Sequence, residues 1–203
     1  RSDFVLLLNS DTEVANDWLD RIRAAAYGDA KVASVTPFST NATICSYPKL
    51  GENQMPPGRE LAEIDRIASE VNDGVSVELP TSVGFCMLIS RACLEAVGFF
   101  DEEAFGRGYG EENDFSLRAS QRGFKNLLAT DVFVRHVGEV SFASTSSEGK
   151  KNATRILLAR YPRYNEMVSH HVGLDPSLVA RLRLTFGLWR SDGKPVLALL
   201  THN

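Results

Sequence analysis

The chain has 203 residues, with 22 Lys and Arg against 26 Asp and Glu, a formal net charge of −4, and 43% hydrophobic residues. This composition excludes a disordered or fibrous chain and suits one domain of ordinary size with a real core. The mild acidity argues against a broad phosphate-backbone footprint, so nucleic acid is not an expected partner. No apolar run reaches the roughly 20 residues that span a bilayer, so no transmembrane segment is expected.

Phe4 to Leu8 is a continuous apolar run, the pattern of a strand covered on both faces. Asn9-Ser10-Asp11-Thr12 follows as a polar turn. Trp18, Leu19, Ile22, Ala25 and Ala26 recur at helical spacing up to Gly28. Residues 31–38 read as a strand and 39–58 as a loop. Leu61, Ile64, Ala68 and Val71 mark a second helix. Residues 75–80 and 83–89 read as strands, and 92–97 as a short helix stopped by Gly98. A glycine-rich segment, 105–110, precedes a third long helix from Glu111 to Arg122, and 124–135 is extended. Residues 150–170 read as helix broken at Pro162. Asp175-Pro176 is expected to open a last helix, with Asp as cap and Pro at the first position. Pro195 to Leu200 reads as another buried strand. Alternating strands and helices predict an α/β layered domain. Strands that need neighbours at both ends predict a piece of a longer protein.

Cys45, Cys86 and Cys93 are odd in number and lack metal spacing, so they read as reduced core thiols of a cytoplasmic protein. Asn41-Ala42-Thr43 and Asn152-Ala153-Thr154 match the glycosylation acceptor pattern, which a cytoplasmic chain would not use.

Three segments can carry chemistry. Asn9-Ser10-Asp11 lies just past the carboxyl end of a strand, where open α/β sheets place their ligands. A carboxylate there is a hard ligand for Mg²⁺ or Mn²⁺, although Asn, Ser, Asp and Thr equally suit a turn. Glu111, Glu112 and Asp114 crowd a helix start. Glu111 and Asp114 share a face, Asp114 can pair with Arg118 one turn on, and Glu112 points elsewhere. The helix dipole favours their ionised forms, and one of them could serve as general base, although an ordinary acidic first turn would look the same. His136 ends an extended run and is a metal-ligand candidate, although a lone His at a strand end is more often structural.

Taken in order, these segments resemble the family-2 glycosyltransferases of GT-A fold. The blocks are Asn9-Ser10-Asp11-Thr12 with Trp18-Leu19, Val83 to Arg91 leading to Val97 to Glu102, Gly108 to Arg118, and Gly123-Phe124 with His136, Gly138 and Ser141-Phe142. The resemblance implies an α/β GT-A-like mixed sheet flanked by helices, truncated at its N-terminal nucleotide-binding half, with a helical C-terminal extension. It places the acceptor and metal side at 1–142, the extension at 143–190, and the start of a following domain or linker at 191–203; a further glycosyltransferase domain there is one expectation. It implies inverting transfer of a sugar from a nucleoside-diphosphate donor to an acceptor hydroxyl, in surface polysaccharide or glycan synthesis. Asp11 and His136 would hold a divalent metal, Mn²⁺ or Mg²⁺, and Asn9 and Asp11 would face the donor. Glu112 falls on the base position, with Glu111 and Asp114 as alternatives. Gly84, Phe85, Asp101 and Glu102 would border the acceptor, a glycan or a lipid-linked sugar. Asn9 and Glu112 depart from the family's usual aspartates. The expected location is cytoplasmic, including the inner face of the membrane, and the piece alone is expected to be inactive. A non-catalytic carbohydrate- or partner-binding module on the same fold is the other reading. A metal-dependent phosphotransferase or hydrolase is disfavoured, because no Walker-type loop is present.

Overall fold

The computed structural model describes residues 2–106, 109–138 and 147–193. In chain order the elements are β1 (Phe4–Leu8), β2 (Thr12–Glu13), α1 (Trp18–Tyr27), β3 (Val32–Phe38), α2 (Leu61–Val71), β4 (Ser76–Leu79) and β5 (Cys86–Ser90). Then follow α3 (Arg91–Val97), α4 (Glu102–Phe105), α5 (Glu111–Gln121), β6 (Lys125–Phe133), β7 (Arg135–His136), α6 (Ser147–Arg160), α7 (Tyr164–Leu174) and α8 (Leu178–Ser191).

Five strands form one mixed sheet in the order β1-β5-β3-β6-β4. Only β3 and β6 run parallel; the other neighbours are antiparallel. β2 and β7 form a separate two-stranded ribbon, with Thr12 opposite His136. Side chains alternate across the sheet. Cys86 and Leu88 of β5 face a core built with Ile22, Ile64, Ile67 and Leu184, drawn from α1, α2 and α8. Met87 and Ile89 face the opposite core, with Cys93, Leu94, Phe115 and Ala119 from α3 and α5. Fully burying a side chain such as Phe115 contributes about 1.5–3 kcal/mol. A third, smaller cluster joins Phe105, Leu117, Ala153 and Leu157, and so ties α6 to α4 and α5.

The expected α/β mixed sheet flanked by helices, with a helical C-terminal region, is what the chain forms. Three local expectations differ. Phe4 to Leu8 is a strand, but an edge strand whose only described neighbour is β5, so its side chains are part-exposed rather than covered on both faces. β5 begins at Cys86, with Gly84 and Phe85 in a turn before it, although the Phe85 carbonyl still accepts the Asn9 backbone N–H at 2.8 Å beside the β1–β5 pair. Asp175 does not cap the last helix. It ends α7 with φ +45°, and Ser177 precedes α8. Asp tolerates left-handed backbone, so the same Asp-Pro pair fits a helix end as well as a helix start. The three cysteines are buried and free. The expected strand at 195–200 and the Ser141-Phe142 block lie outside the described residues. Among the described residues, no helix is long and apolar enough to cross a membrane.

Candidate active site

β1 delivers Asn9 to Thr12 to the end of the sheet. The turn closes through Thr12 N–H donating to the Asn9 carbonyl at 3.1 Å. The short β2–β7 ribbon then brings Asp11 beside His136, with Asp11 Oδ2 at 3.4 Å from His136 Nε2. Both side chains are largely buried, and Asp11 Oδ1 has no hydrogen-bond partner among the described residues.

The tautomer of His136 follows from its other nitrogen. His136 Nδ1 lies 2.6 Å from the backbone carbonyl of Asn41. A carbonyl only accepts, so Nδ1 carries the proton. In a neutral ring Nε2 then presents a lone pair to the Asp11 carboxylate. Two acceptors at that distance repel unless the ring is imidazolium or a cation lies between them. A carbonyl behind a ring nitrogen is also how metal-bound histidines are oriented. Further contacts fix His136: its backbone N–H donates to Ser39 Oγ, and its carbonyl accepts from Thr40 Oγ1, each at 3.0 Å. The Phe85 ring stacks on the imidazole, centroids 4.9 Å apart and 21° from parallel. Gly138 permits the close approach of Asn41: its φ is +72°, and a Cβ there would meet Asn41 Nδ2 at 3.0 Å.

Glu112 lies against the residue before Phe85. A Cβ on Gly84 would lie 3.7 Å from Glu112 Cγ and 4.0 Å from Cδ, so the side chain lies along the backbone of Gly84. Consecutive residues therefore touch both groups: Gly84 lies against Glu112, and Phe85 stacks on His136. Burial, and then the neighbouring charge of Glu111, raise the Glu112 carboxyl to about 7. A carboxyl titrating there changes between acid and base near neutral pH.

Asp114, two residues on, is bound on both oxygens. Oδ2 accepts from Arg118 Nε at 2.8 Å, and Oδ1 accepts from Arg160 Nη1 at 3.0 Å and Tyr161 Oη at 2.9 Å. Its side chain is fully buried. Asp101 is also engaged: Oδ1 accepts the Ala104 N–H at 3.0 Å, and Oδ2 pairs with Arg160 Nη2 at 2.7 Å. Arg160 and that capping bond hold its carboxyl below the ordinary value. Both carboxylates are thus committed within the fold, whereas Glu102 begins α4 on the surface. Asn9 contributes backbone bonds, and its side chain makes no hydrogen bond among the described residues.

Asp11 and His136 are two side chains that could hold a cation. Among the described residues, no group of three or more His, Cys, Asp and Glu is assembled. The orphaned, buried Asp11 Oδ1 and the lone pair of His136 fit a hard or borderline divalent ion. Sequence patterns did not point to Asn41, Ser39, Arg160, Tyr161 or Tyr164. Asn41 acts through its backbone carbonyl, which no residue type signals.

No family model matches the chain. Curated relatives include uncharacterised proteins of Mycobacterium tuberculosis and Mycobacterium bovis, each 27% identical over 111 residues. The match covers 54% of this chain and 35% of those proteins, so the chain spans about a third of the length of the curated relatives it matches. A solved structure, GalNAc-T7 with UDP, GalNAc and Mn²⁺, superposes with a TM-score of 0.53 at 16% identity, over 94% of this chain and 38% of that one. The likeness is one of fold: the chain has a GT-A-like fold.

Proposed function

We propose that this chain is the metal- and acceptor-side part of a glycosyltransferase that moves a sugar from a nucleoside-diphosphate donor to an acceptor hydroxyl. The observation that carries the reading is the Gly84-Phe85 turn, whose consecutive residues touch Glu112 and the His136 of the Asp11–His136 pair. The GT-A-like fold supports it, as does the nucleotide, sugar and Mn²⁺ in the GalNAc-T7 structure.

In this reading Asp11 and His136 would hold a divalent cation beside the donor diphosphate. Such a cation stabilises the charge that gathers on the leaving diphosphate. Asn41 holds the His136 ring with Nε2 turned towards Asp11. Glu112, ionised above about pH 7, takes the proton from the acceptor hydroxyl as that oxygen attacks the anomeric carbon. One displacement with the base opposite the leaving group inverts the anomeric centre. Gly84, lacking a side chain, leaves room beside Glu112 for the acceptor. Glu111 remains beside the base as the charge that helps raise its affinity for a proton. Asp114 and Asp101 are structural in this reading. Family 2, surface polysaccharide or glycan synthesis, a lipid-linked acceptor and a cytoplasmic site at the inner membrane face belong to the same proposal, as does the inactivity of the piece alone.

The test uses the full-length protein. Glu112→Gln keeps shape and removes the base. With nucleotide-sugar donor and acceptor, turnover is expected to fall about 10²–10⁴-fold with folding intact. Unchanged turnover in a folded Glu112→Gln protein would contradict the assignment.

A further inference from the structure

We infer that the bend between α6 and α7, through Arg160, Tyr161 and Tyr164, is a positioning clamp that fixes Glu112 by holding the next two residues of its helix. The inference rests on the proposed role of Glu112.

The need for a clamp comes from the start of α5. A helix's first turn has backbone N–H groups with no helical partner, and a side-chain cap ordinarily secures it. The residue before α5 is Gly110, in left-handed backbone with φ +89°, and it supplies no side-chain cap. A side chain there would be strained, because the backbone is left-handed and a Cβ would crowd Phe105 Cδ1 at 3.0 Å. The first turn thus has no side-chain cap from the residue before it, and the Glu112 carboxylate itself takes the backbone N–H groups of Gly110 and Glu112.

The bend adds a hold from outside. Arg160 Nη1 and Tyr161 Oη both donate to Asp114 Oδ1, at 3.0 and 2.9 Å. Tyr164 Oη donates to Asn113 Oδ1 at 3.3 Å, and Asn113 Nδ2 donates to Glu112 Oε1 at 3.4 Å. Three of five consecutive residues around Pro162 therefore grip positions 113 and 114. Arg160 is itself anchored, by Asp101 at 2.7 Å and by the Phe105 ring, whose centroid lies 5.2 Å from its guanidinium carbon. Arg118 anchors the other Asp114 oxygen and donates to the Val97 and Phe99 carbonyls. Burial and Asp114 push the Tyr161 hydroxyl up to about 12, so it remains a proton donor at any working pH. The titratable groups set against Glu112 are Glu111 on its own helix and Tyr164 on α7.

A loosened clamp lets the first turn of α5 shift and admits water beside Glu112. Hydration favours the ionised carboxylate, so its proton affinity drops towards that of an ordinary glutamate. A displaced base also transfers protons less well, and a misplacement of about 1 Å can cost about 10²-fold.

The experiment follows the carboxyl signal of Glu112 by NMR titration in full-length protein, assigned through Glu112→Gln, in wild type and in Arg160→Gln, Tyr161→Phe and Tyr164→Phe. Melting temperature, kcat and KM are measured alongside. The clamp predicts a Glu112 midpoint lowered by about one pH unit in Arg160→Gln and less in the tyrosine variants, with kcat reduced and KM nearly unchanged. Arg160→Lys, which keeps the charge but not the fork, should restore part of kcat. Should Arg160→Gln fail to fold, the tyrosine variants decide, since each removes one hydroxyl and keeps its ring. An unmoved midpoint with unchanged kcat in the folded variants would overturn the clamp. If Glu112→Gln left transfer intact while the Arg160 variant still moved the Glu112 midpoint, the clamp would stand and the base assignment would fall.

Discussion

Glu112 and Asp114 lie two residues apart in the first turn of one helix, yet the fold treats them oppositely. Asp114 is fully buried and receives donors from Arg118, Arg160 and Tyr161. Glu112 is desolvated against Gly84, and burial together with the Glu111 charge outweighs the backbone N–H groups of Glu112 and Gly110 that favour its carboxylate, so its carboxyl is raised to about 7. Charged donors on both oxygens turn a buried acid into a brace, whereas burial that outweighs a few backbone donors leaves an acid that exchanges its proton near neutrality. The lesson is that acid count at a helix start says little about chemistry, and the partners arriving from elsewhere decide it.

The sharpest way to break this contrast is by turnover. In full-length protein, Glu112→Gln should reduce transfer about 10²–10⁴-fold, whereas Asp114→Asn, corrected for the folded fraction, should reduce it far less. Equal losses from the two would erase the distinction. Asp11→Ala should reduce transfer about 10²–10³-fold and abolish any Mn²⁺ dependence, measured as rate against added metal.

Stability should show the reverse order. Asp114→Ala leaves Arg118 and Arg160 without their shared acceptor and should cost about 3–5 kcal/mol by denaturant titration. Glu112→Gln should cost nothing at pH 5 and stabilise at pH 8, by about 1–3 kcal/mol. The sign follows from its raised carboxyl. The unfolded chain ionises Glu112 near 4.5, whereas the folded chain holds the proton to about 7. Folding stability therefore declines between those values and stays lower above them, and Gln removes that penalty. A destabilised Glu112→Gln at pH 8 would mean that Glu112 is a structural carboxylate like its neighbour.

Much of the site was legible because its signals are local. An apolar run ending in Asn9-Ser10-Asp11 announces a strand delivering a carboxylate, and β1 does so. Acids after a glycine-rich segment announce a helix start, and α5 begins at Glu111. The Asp114–Arg118 pair follows from i,i+4 spacing. The remainder depends on residues far apart in sequence. Arg160 reaches Asp114 across 46 positions, and the Asn41 carbonyl meets His136 across 95. No periodicity encodes such meetings, so the structural role of Asp114 and the tautomer of His136 emerge only from the packed chain. The Gly84-Phe85 turn was hidden because Val83 and Phe85 extend the apolar β5 pattern.

The most direct test of the proposed site is paramagnetic broadening by Mn²⁺ in full-length protein saturated with a nucleoside diphosphate. The site described here predicts broadening centred on Asp11 and His136, reaching Phe85, Gly84 and the first turn of α5, and lost in Asp11→Ala. Broadening centred elsewhere, or unchanged by that substitution, would contradict it.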